Sequence, residues 1–162
     1  MFEVKKIYNL LNKKEVEYLN LVCDDYIEDG FQLYKMRYLK ENELLDYKEK
    51  IISFVTTELN FNFQKVGHWI NKVSSYDIEH NNFHNDDSDL TIVTYFKMGF
   101  EGGNFEYFDS QNKLISIKPE IGLSLLMDNK LKHRIGKIKN GERYSLVSFF
   151  NVTSKKTEKT IL

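Results

Sequence analysis

Two histidines and one aspartate are the residues of this sequence whose types and spacing could bind a catalytic metal. His84 and Asp86 form a His-x-Asp pair, and His133 follows much later in the chain. Two imidazoles and one carboxylate can occupy one face of an octahedral Fe(II) and leave three positions open for substrate and O2. Arg143 comes shortly after His133 and could hold a second carboxylate through charge-assisted hydrogen bonds. The pattern therefore predicts an iron site with an adjoining anion site.

The His-x-Asp pair is a weak signal by itself, because His84 also belongs to a polar loop, residues 80–87, in which it could simply be solvated. Residues two apart in an extended segment project to the same side, so His84 and Asp86 can act together. His133 begins a later strand-like run, and antiparallel pairing can bring it to the same end of a barrel. Spacing alone leaves both interpretations open.

Arg143 adds a separate constraint. In an extended segment it shares a face with Ser145 and Val147, while Tyr144 and Leu146 take the other face. If Arg143 points into a barrel it needs an anionic partner, because breaking a buried ion pair costs about 3–5 kcal/mol. A bound dicarboxylate would supply that partner. An inward Asp or Glu would do the same, and an arginine whose side chain snorkels to the rim would need none.

The elements that position these residues change character along the chain. Asn12 followed by Glu15 predicts a capping box, and Val16 and Leu19 recur at helical spacing. A second helix is predicted over about 41–59, with a broad apolar face that should cover one side of a sheet. The N-terminal third is therefore predicted to be helical.

From residue 63 onward, short strand-like runs are separated by Asn, Asp and Gly clusters, a pattern that favours a β-sandwich or barrel. The runs are 66–76, 90–98, 105–108, 114–118, 122–127, 133–138 and 143–152. The only proline, Pro119, fits a turn before Gly122. The Lys-rich residues 153–162 are expected to form a frayed polar tail.

Length and charge limit the class of protein. A chain of 162 residues is predicted to be a single domain over 1–152, with a helical part over 12–60 and a barrel over 63–152. Its net charge of -1 lacks the basic field that nucleic acid requires, so no nucleic-acid partner is expected. No run is long enough for a signal peptide core or a membrane span. We therefore expect a cytoplasmic protein with no membrane partner, and the sequence specifies no oligomeric state.

The order of these elements resembles the Fe(II)- and 2-oxoglutarate-dependent dioxygenases, in particular their prolyl 4-hydroxylase-like and PKHD-type branch. The resemblance covers residues 66–151. Its elements in chain order are Tyr76, the pair at His84 and Asp86, the strand 91–96, and the segments 101–105, 118–122, 133–138 and 141–146. The resemblance implies an α+β, mostly β domain. Its expected core is a double-stranded β-helix, a jelly-roll or cupin-like barrel, with two N-terminal helices packed on one sheet.

The resemblance also implies roles for individual residues. His84, Asp86 and His133 would bind Fe(II), and Arg143 would pair with the distal carboxylate of 2-oxoglutarate. Three more residues would contact this cosubstrate. Tyr95 would donate its phenol hydrogen to the same carboxylate, and Ser145 would add a hydroxyl donor. Tyr76 would lie near the metal-bound end. O2 is the other implied cosubstrate, and the resemblance admits ascorbate as an accessory reductant.

The implied reaction is hydroxylation of a C–H bond, coupled to decarboxylation of 2-oxoglutarate to succinate and CO2. A prolyl or other residue of a protein or peptide is the leading substrate, and a free amino acid or small metabolite is the alternative. Asp86 favours hydroxylation, because the related halogenases lack this carboxylate. Phe149 stands where the nucleic-acid demethylases usually carry a second arginine, which disfavours nucleobase repair.

Two other classes of protein stay compatible with the sequence. One is a non-catalytic cupin-like barrel that binds a metal and a small carboxylate. The other is an interaction domain in which the three candidate ligands are unrelated surface groups. His80 is expected to be a loop residue, not a ligand. Ile70, Lys72 and Ser74, which share strand parity with Tyr76, are candidates for the substrate wall.

Overall fold

A computed structural model describes residues 4–25, 35–76 and 78–155. The described residues form these strands: β1 (Lys5–Tyr8), β2 (Lys35–Tyr38), β3 (Phe61–Ser74), β4 (Leu90–Thr94), β5 (Glu101–Gly102), β6 (Phe105–Phe108), β7 (Leu114–Ile117), β8 (Leu123–Asp128), β9 (His133–Ile135), β10 (Ile138–Asn140) and β11 (Glu142–Lys155). The α-helices are α1 (Lys13–Val22) and α2 (Leu45–Ser53), and a π-helical segment, Phe54–Glu58, continues α2. A short 3₁₀ turn, Ile78–Asn81, precedes the His-x-Asp pair.

The strands form a main sheet and a second layer packed on it. The main sheet has the order β1-β8-β4-β11-β3-β2, with every pairing antiparallel. The strands β7-β6-β9 form a smaller sheet, and β10 pairs with β5. Val93 and Leu125 of the main sheet share an apolar cluster with Phe105 and Ile117 of the smaller sheet. The predicted fold, a mostly β, jelly-roll-like α+β domain, is confirmed.

The opposite face of the main sheet is covered by the two helices. Leu19 of α1 and Ile51 of α2 pack in one cluster with Ile92 and Leu146 of the sheet, and all four side chains are fully buried. Burying an aliphatic side chain of this size contributes roughly 1.5–3 kcal/mol. The helices therefore cover one side of the sheet, as predicted, and leave the other side to the barrel interior. None of the described helices has the length and apolar character that crossing a membrane requires.

The side chains of β11 alternate between these two faces. Tyr144 and Leu146 join the cluster under the helices. Arg143, Ser145 and Val147 face the space between the sheets. Because successive side chains of a strand point to opposite faces, burying Leu146 under the helices turns Arg143 into the barrel. The parity of the sequence predicted that Arg143, Ser145 and Val147 share this face.

Helix α1 begins where the sequence predicted. Asn12 Oδ1 accepts a hydrogen bond from the Glu15 N–H at 2.9 Å, and Glu15 Oε2 accepts one from the Asn12 N–H at 3.0 Å. This reciprocal pair satisfies two backbone donors that a helix start otherwise leaves open. Glu15 Oε1 also accepts from the Tyr47 N–H at 2.8 Å, so the capping box ties α1 to α2.

Helix α2 starts at Leu45, later than the predicted residue 41, because the residues before it are held as a turn. Glu43 accepts from the backbone N–H of Lys40 at 2.6 Å and pairs with Arg37 at 2.7 Å. Burial disfavours the charged form of Glu43, but hydrogen bonds from Arg37 and Tyr18 outweigh it and lower the pKa of this carboxyl to about 2. Leu44 then takes a left-handed conformation with φ 52°, which prevents an earlier helix start.

Strands β1 and β2 lie in the third of the chain that was predicted to be helical. Each has four residues and pairs with a strand that follows later in the chain, β1 with β8 and β2 with β3.

The predicted run 133–138 is divided into β9 and β10. At the C-terminal end, β11 continues to Lys155, so residues 153–155 of the predicted tail are extended, and residues 156–162 lie outside the described residues.

A buried polar network lies between the main sheet and α2. His68 Nδ1 and Ser148 Oγ are 2.8 Å apart, and Tyr47 Oη is 3.0 Å from the same Ser148 oxygen. The side chain of His68 is 5% exposed. Burial, followed by the charge of Lys48, lowers the pKa of His68 to about 4. The folded protein therefore holds this imidazole neutral at pH values where the unfolded chain protonates it.

This pKa predicts a stability contribution that depends on pH. Because the pKa of His68 is depressed on folding, its contribution is complete above the unfolded value of about 6.5 and is lost as the pH falls toward 4. We expect urea unfolding to show a free energy of unfolding about 2 kcal/mol lower at pH 5 than at pH 7.5 from this group. Between these two pH values, the free energy of unfolding of the variant His68→Gln should fall by about 2 kcal/mol less than that of the wild type. Equal losses in both proteins would show that His68 is not the titrating group.

Candidate active site

The two histidines of the predicted triad are brought together by a backbone bridge. His84 and His133 form an isolated antiparallel bridge, in which each N–H donates to the carbonyl of the other at 2.9 Å. Two residues that exchange both hydrogen bonds lie directly opposite, with side chains on the same face. The ring centroids are 4.6 Å apart. Local backbone pairing therefore joins ligands that are far apart in the sequence.

Each imidazole is oriented by a backbone carbonyl. His84 Nδ1 donates to the carbonyl of Asn82 at 3.0 Å, and His133 Nδ1 donates to that of Leu131 at 3.1 Å. A carbonyl oxygen only accepts, so Nδ1 carries a hydrogen in both rings, and in a neutral imidazole this leaves the lone pair on Nε2. Phe105 stacks on His133 with ring centroids 5.2 Å apart. Both rings are thus fixed in the tautomer that binds a metal through Nε2.

Asp86 completes the group and is held by a hydroxyl chain. One carboxylate oxygen, Oδ1, lies 3.8 Å from His133 Nε2. The other, Oδ2, accepts from Thr91 Oγ1 at 2.6 Å. Because Thr91 uses its hydrogen on Asp86, Ser88, 2.9 Å from the same hydroxyl, must donate to Thr91. This arrangement directs Oδ1 toward the two imidazoles.

The three side chains fit a single divalent metal ion. Candidate ligand atoms of His84, Asp86 and His133 all lie within 4.8 Å of one another. Small side-chain rotations bring such atoms onto one ion at the bond lengths of about 2 Å that nitrogen and oxygen ligands make. Burial lowers the pKa of His133, while the Asp86 carboxylate acts in the opposite direction. Two nitrogens and one carboxylate oxygen are the donor set of the Fe(II) facial triad.

The hydroxyl chain predicts an effect on metal affinity. Thr91→Val keeps the shape of the side chain but removes the hydrogen bond to Asp86 Oδ2. Loss of such an outer partner typically weakens metal binding by roughly 10–100-fold. We expect this loss in a titration with Fe(II) under anaerobic conditions. Thr94→Val is the matched control, because Thr94 is a buried threonine of the same strand whose hydroxyl contacts Ser124; an equal loss there would contradict the assignment.

Arg143 is a buried cation without a carboxylate among the described residues. Its side chain is 2% exposed. Its guanidinium donates to the Gly103 carbonyl at 3.1 Å, to Ser145 Oγ at 3.3 Å and to Tyr95 Oη at 2.9 Å. All three acceptors are neutral. Since a buried charge is costly without an anionic partner, an anion bound beside Arg143 would complete this environment.

Glycines make room for Arg143. A Cβ on Gly103 would lie 3.1 Å from Arg143 Cδ, and a Cβ on Gly102 would lie 2.1 Å from the Lys137 carbonyl oxygen. Gly102 and Gly103 also have φ values of 77° and 66°, which disfavour any residue with a side chain. Their role is structural: they bring a backbone carbonyl against the guanidinium.

The metal-binding group and Arg143 line one cavity of about 320 Å³. Its walls combine polar groups from both layers with apolar side chains. The lining residues are Met36, Asn71, His80, His84, Asp86, Thr91, Val93, Phe105, His133, Ile135, Arg143, Ser145, Val147 and Phe149. One small ligand in this cavity could therefore contact both a metal ion and Arg143.

The structure brings together most of the predicted site residues. Ser145 lines the cavity, and its hydroxyl accepts from Arg143. Tyr95 is fully buried behind Arg143, where its phenol oxygen accepts from the guanidinium. Tyr76 is not brought to the cavity: its side chain is 86% exposed. The reason is that β3 ends at Ser74, so Tyr76 lies in the turn that follows and does not continue the strand face.

The predicted substrate wall has the wrong strand parity. Ile70 is buried in the cluster under the helices, and Lys72 forms ion pairs with Asp24 and Glu142 on that side. The cavity is lined instead by Asn71 of the same strand. The prediction counted parity back from Tyr76, which is outside β3, and therefore selected the opposite face.

Sequence reasoning missed several residues of the cavity. Thr91 holds Asp86 but lies inside a predicted strand, where its hydroxyl gave no separate signal. Phe105 stacks on His133 across the smaller sheet. Met36 lines the cavity from β2, a strand that the sequence did not predict. For Thr91 alone a local signal exists, because it shares strand parity with Val93 and Tyr95.

Solved structures with a similar fold are oxygenases. A prolyl-4-hydroxylase from Pseudomonas putida matches with a TM-score of 0.71 at 12% identity, over 93% of this chain and 93% of that chain. A 2OG-Fe(II) oxygenase family oxidoreductase from Burkholderia pseudomallei matches with a TM-score of 0.66 at 14% identity, over 91% and 84%. The fold is that of the 2OG-Fe(II) oxygenases.

A third match of this fold is a prolyl hydroxylase from Trichoplax adhaerens, solved in complex with a hypoxia inducible factor peptide fragment. Its TM-score is 0.68 at 13% identity, over 91% of this chain and 83% of that chain. No protein-family model matches the sequence, and no curated protein matches it. The predicted likeness to prolyl 4-hydroxylases is confirmed for the fold, and the chemistry of this chain is argued from its own residues.

Proposed function

We propose that this protein is an Fe(II)- and 2-oxoglutarate-dependent dioxygenase. The observation that carries the proposal is one cavity that contains both a two-histidine, one-carboxylate group and a buried arginine without a carboxylate partner among the described residues. A metal site alone would fit many proteins. A cation in the same cavity suits a dicarboxylate that also reaches the metal.

The proposed roles follow from the donors and acceptors of each side chain. His84, Asp86 and His133 hold Fe(II), with His133 and His84 binding through Nε2. Arg143 binds the distal carboxylate of 2-oxoglutarate through charge-assisted hydrogen bonds. Tyr95, whose oxygen accepts from Arg143, keeps its own hydrogen to donate to that carboxylate, and the Ser145 hydroxyl adds a further donor.

Other side chains exclude water from the cavity. Val93 and Val147, which are nearly fully buried, line the cavity together with the metal-binding group and Arg143. When bound, Fe(II) supplies the oxidative chemistry with O2, in which decarboxylation of 2-oxoglutarate to succinate and CO2 is coupled to hydroxylation of the substrate. The chain positions both cosubstrates and keeps the site dry, and ascorbate would act as an accessory reductant.

The proposed substrate is a prolyl or other residue of a protein or peptide. The Trichoplax adhaerens enzyme of the same fold was solved with a peptide, which supports this class. A free amino acid or small metabolite is the second candidate, and the modest cavity of about 320 Å³ would accept it. Tyr76 has no role in the proposal because of its exposed position.

The first experiment is an anaerobic titration of the metal-free protein with Fe(II) and 2-oxoglutarate. We expect a visible charge-transfer band that requires both additions. No band would reject the proposed function and would favour an interaction domain. A band without any succinate release in air would favour a non-catalytic cupin-like binding protein. A panel of peptides and free amino acids, scored by stimulated succinate release, then separates the two substrate classes.

A further inference from the structure

The segment that carries His84 pairs with the smaller sheet at one point. Within residues 82–89, all of which are described, His84 is the one residue whose backbone forms a β-bridge, and its partner is His133 at the start of β9. One bridge contributes two hydrogen bonds, and an isolated strand pairing is marginally stable in water. Side-chain contacts beside the bridge are therefore expected to decide how firmly His84 is held opposite His133.

The residues beside the two histidines meet on the reverse face of this bridge. Phe83 precedes His84 and Arg134 follows His133, so these two residues form the next opposed pair of the antiparallel arrangement. Because side chains alternate between faces, they point away from the imidazoles. Arg134 Cζ lies 4.5 Å from the centroid of the Phe83 ring, within the distance at which a guanidinium is attracted to an aromatic face. Each partner of this contact is therefore the chain neighbour of a candidate metal ligand.

A carboxylate on the neighbouring strand fixes the guanidinium. Glu106 of β6 lies directly opposite Arg134 in the pairing of β6 with β9. Arg134 Nε donates a hydrogen bond to Glu106 Oε2 at 2.8 Å. The side chain of Arg134 therefore lies between a carboxylate on one side and an aromatic ring on the other. These three residues, Phe83, Arg134 and Glu106, are called the reverse-face clamp below.

Gly136 leaves room for the carboxylate of the clamp. A Cβ on Gly136 would lie 2.9 Å from Glu106 Oε1. The φ of Gly136 is not in the left-handed region, so the backbone does not require glycine at this position. The Gly136 N–H donates to the Asn104 carbonyl at 2.8 Å, which keeps the glycine close to β6. A glycine at this position therefore gives Glu106 the space to reach Arg134.

The contacts of the clamp are partly shielded from water. The side chains of Arg134 and Glu106 are 34% and 17% exposed, and the Phe83 ring also contacts that of Phe108, with centroids 4.9 Å apart. A fully exposed ion pair contributes little to stability, whereas a cation–π contact gains strength as it is desolvated. The clamp is therefore strong enough to hold a short segment in place.

We infer that the reverse-face clamp positions the metal ligand His84. Phe83, Arg134 and Glu106 are not among the residues that line the cavity, so they act through the backbone bridge and not on a ligand. By holding Phe83 on Arg134, the clamp keeps His84 in register with His133 before a metal ion arrives, and Fe(II) does not have to order the segment on binding. This inference rests on the proposed function, because it assigns the residues that assemble the same metal site.

Removing the cation tests the inference through the sign of the effect. If Arg134 acted only through its charge, its loss would tighten Fe(II) binding, because like charges repel. We expect Arg134→Met instead to raise the dissociation constant for Fe(II) about tenfold, measured anaerobically by competition with a chromophoric chelator. Arg134→Lys keeps a cation for both partners and should bind Fe(II) nearly as the wild type does. Lys132→Met is the matched control, because it removes the same charge from an exposed residue two positions earlier, and it should not weaken binding.

Changing the ring separates the cation–π contact from ordinary packing. Phe83→Leu keeps an apolar side chain on Phe108 but has no aromatic face for the guanidinium, and we expect it to raise the dissociation constant for Fe(II) about tenfold. Phe83→Tyr keeps the aromatic face and should bind Fe(II) as the wild type does. Because Phe83→Leu and Arg134→Met remove the same contact, the double variant should bind no more weakly than either single one.

Amide hydrogen exchange gives a readout in the metal-free protein. The His84 N–H donates to the His133 carbonyl at 2.9 Å, so its exchange rate reports how often the bridge opens. We expect Phe83→Leu to speed this exchange about tenfold and to leave the amides of β4 in the main sheet unchanged. In protein saturated with Fe(II), the clamp variants should bind 2-oxoglutarate with wild-type affinity, because Arg143 lies in the cavity and does not depend on this bridge.

The outcomes separate this inference from the proposed function. Unchanged or tighter Fe(II) binding in Arg134→Met, or equal weakening by Phe83→Leu and Phe83→Tyr, would overturn the clamp and leave the oxygenase. Faster exchange across the whole main sheet, with a lower melting temperature of the metal-free protein, would assign these residues to overall stability and also overturn the clamp. A wild-type protein that binds no Fe(II) would reject the proposed function and the clamp together.

Discussion

Arg143→Met is expected to raise the dissociation constant for 2-oxoglutarate by more than a hundredfold while Fe(II) binding stays intact. The guanidinium is 2% exposed, and its three described partners are the neutral acceptors of Gly103, Ser145 and Tyr95. Methionine fills a similar volume but leaves the distal carboxylate of the cosubstrate buried without a counter-charge. Removing one partner of a buried, hydrogen-bonded charge pair costs about 2–5 kcal/mol, and 3 kcal/mol is more than a hundredfold in affinity.

The charge-transfer band, titrated with 2-oxoglutarate under anaerobic conditions, measures this constant. Fe(II) binding is followed separately by the thermal shift that the metal alone produces. Arg134→Met is the matched control: Arg134 follows His133 directly but pairs with Glu106 at 2.8 Å and is not among the cavity-lining residues. Wild-type affinity in Arg143→Met, or an equal loss in Arg134→Met, would contradict the assignment of Arg143 to the cosubstrate.

The face that Arg143 shares with Ser145 and Val147 could be predicted from the sequence because it depends on local periodicity. A strand has a side-chain period of two, so the apolar Tyr144 and Leu146 determine which face is turned to the helices, and Arg143 takes the other. The capping box at Asn12 and Glu15 is equally local, since both partners lie within one turn. These features needed no knowledge of distant contacts.

The position of the cavity wall could not be predicted, because it depends on pairings between distant segments. β2 pairs with β3 over Lys35–Tyr38, and no local pattern predicted this strand, so Met36 was not considered for the cavity wall. The error at Tyr76 has the same origin. The strand was predicted to run to residue 76, whereas it ends at Ser74, and a parity counted from outside a strand selects the wrong face. Asn71 was therefore overlooked in favour of Ile70 and Lys72.

The main sheet separates two kinds of buried polar group. On the side of the helices, the hydroxyls of Tyr47 and Ser148 and the imidazole of His68 contact one another. On the barrel side, Arg143 has no described carboxylate partner and Asn71 Oδ1 has no described hydrogen-bond partner. Buried polar groups are normally satisfied within the protein. A buried cation without a described carboxylate and an unpaired buried acceptor, both on the barrel side, therefore indicate that this face of the sheet receives ligands.

His133→Ala is expected to abolish both metal binding and turnover. His133 contributes a ligand and also positions another one. Its Nε2 lies 3.8 Å from Asp86 Oδ1, and its backbone bridge positions His84. The alanine variant keeps the backbone bridge but leaves only two ligands. At a metal concentration of about 100 times the dissociation constant, binding stabilises the folded state by about 2.7 kcal/mol. For a chain of this size that is a rise in melting temperature of about 5–10 °C, which we expect His133→Ala to lose.

His80→Ala distinguishes loss of a ligand from loss of any histidine near the site. His80 lines the same cavity, and its ring centroid is 6.5 Å from that of His84, but it is not part of the metal-binding group of the described residues. We expect His80→Ala to keep both the thermal shift and the charge-transfer band. If it lost both while His133→Ala kept them, the facial triad would have to be reassigned. If neither variant changed the thermal shift, the three side chains would not be metal ligands. 2-Oxoglutarate would then not explain the buried cation at Arg143, because without a metal at the imidazoles nothing in the cavity would bind the other end of this dicarboxylate.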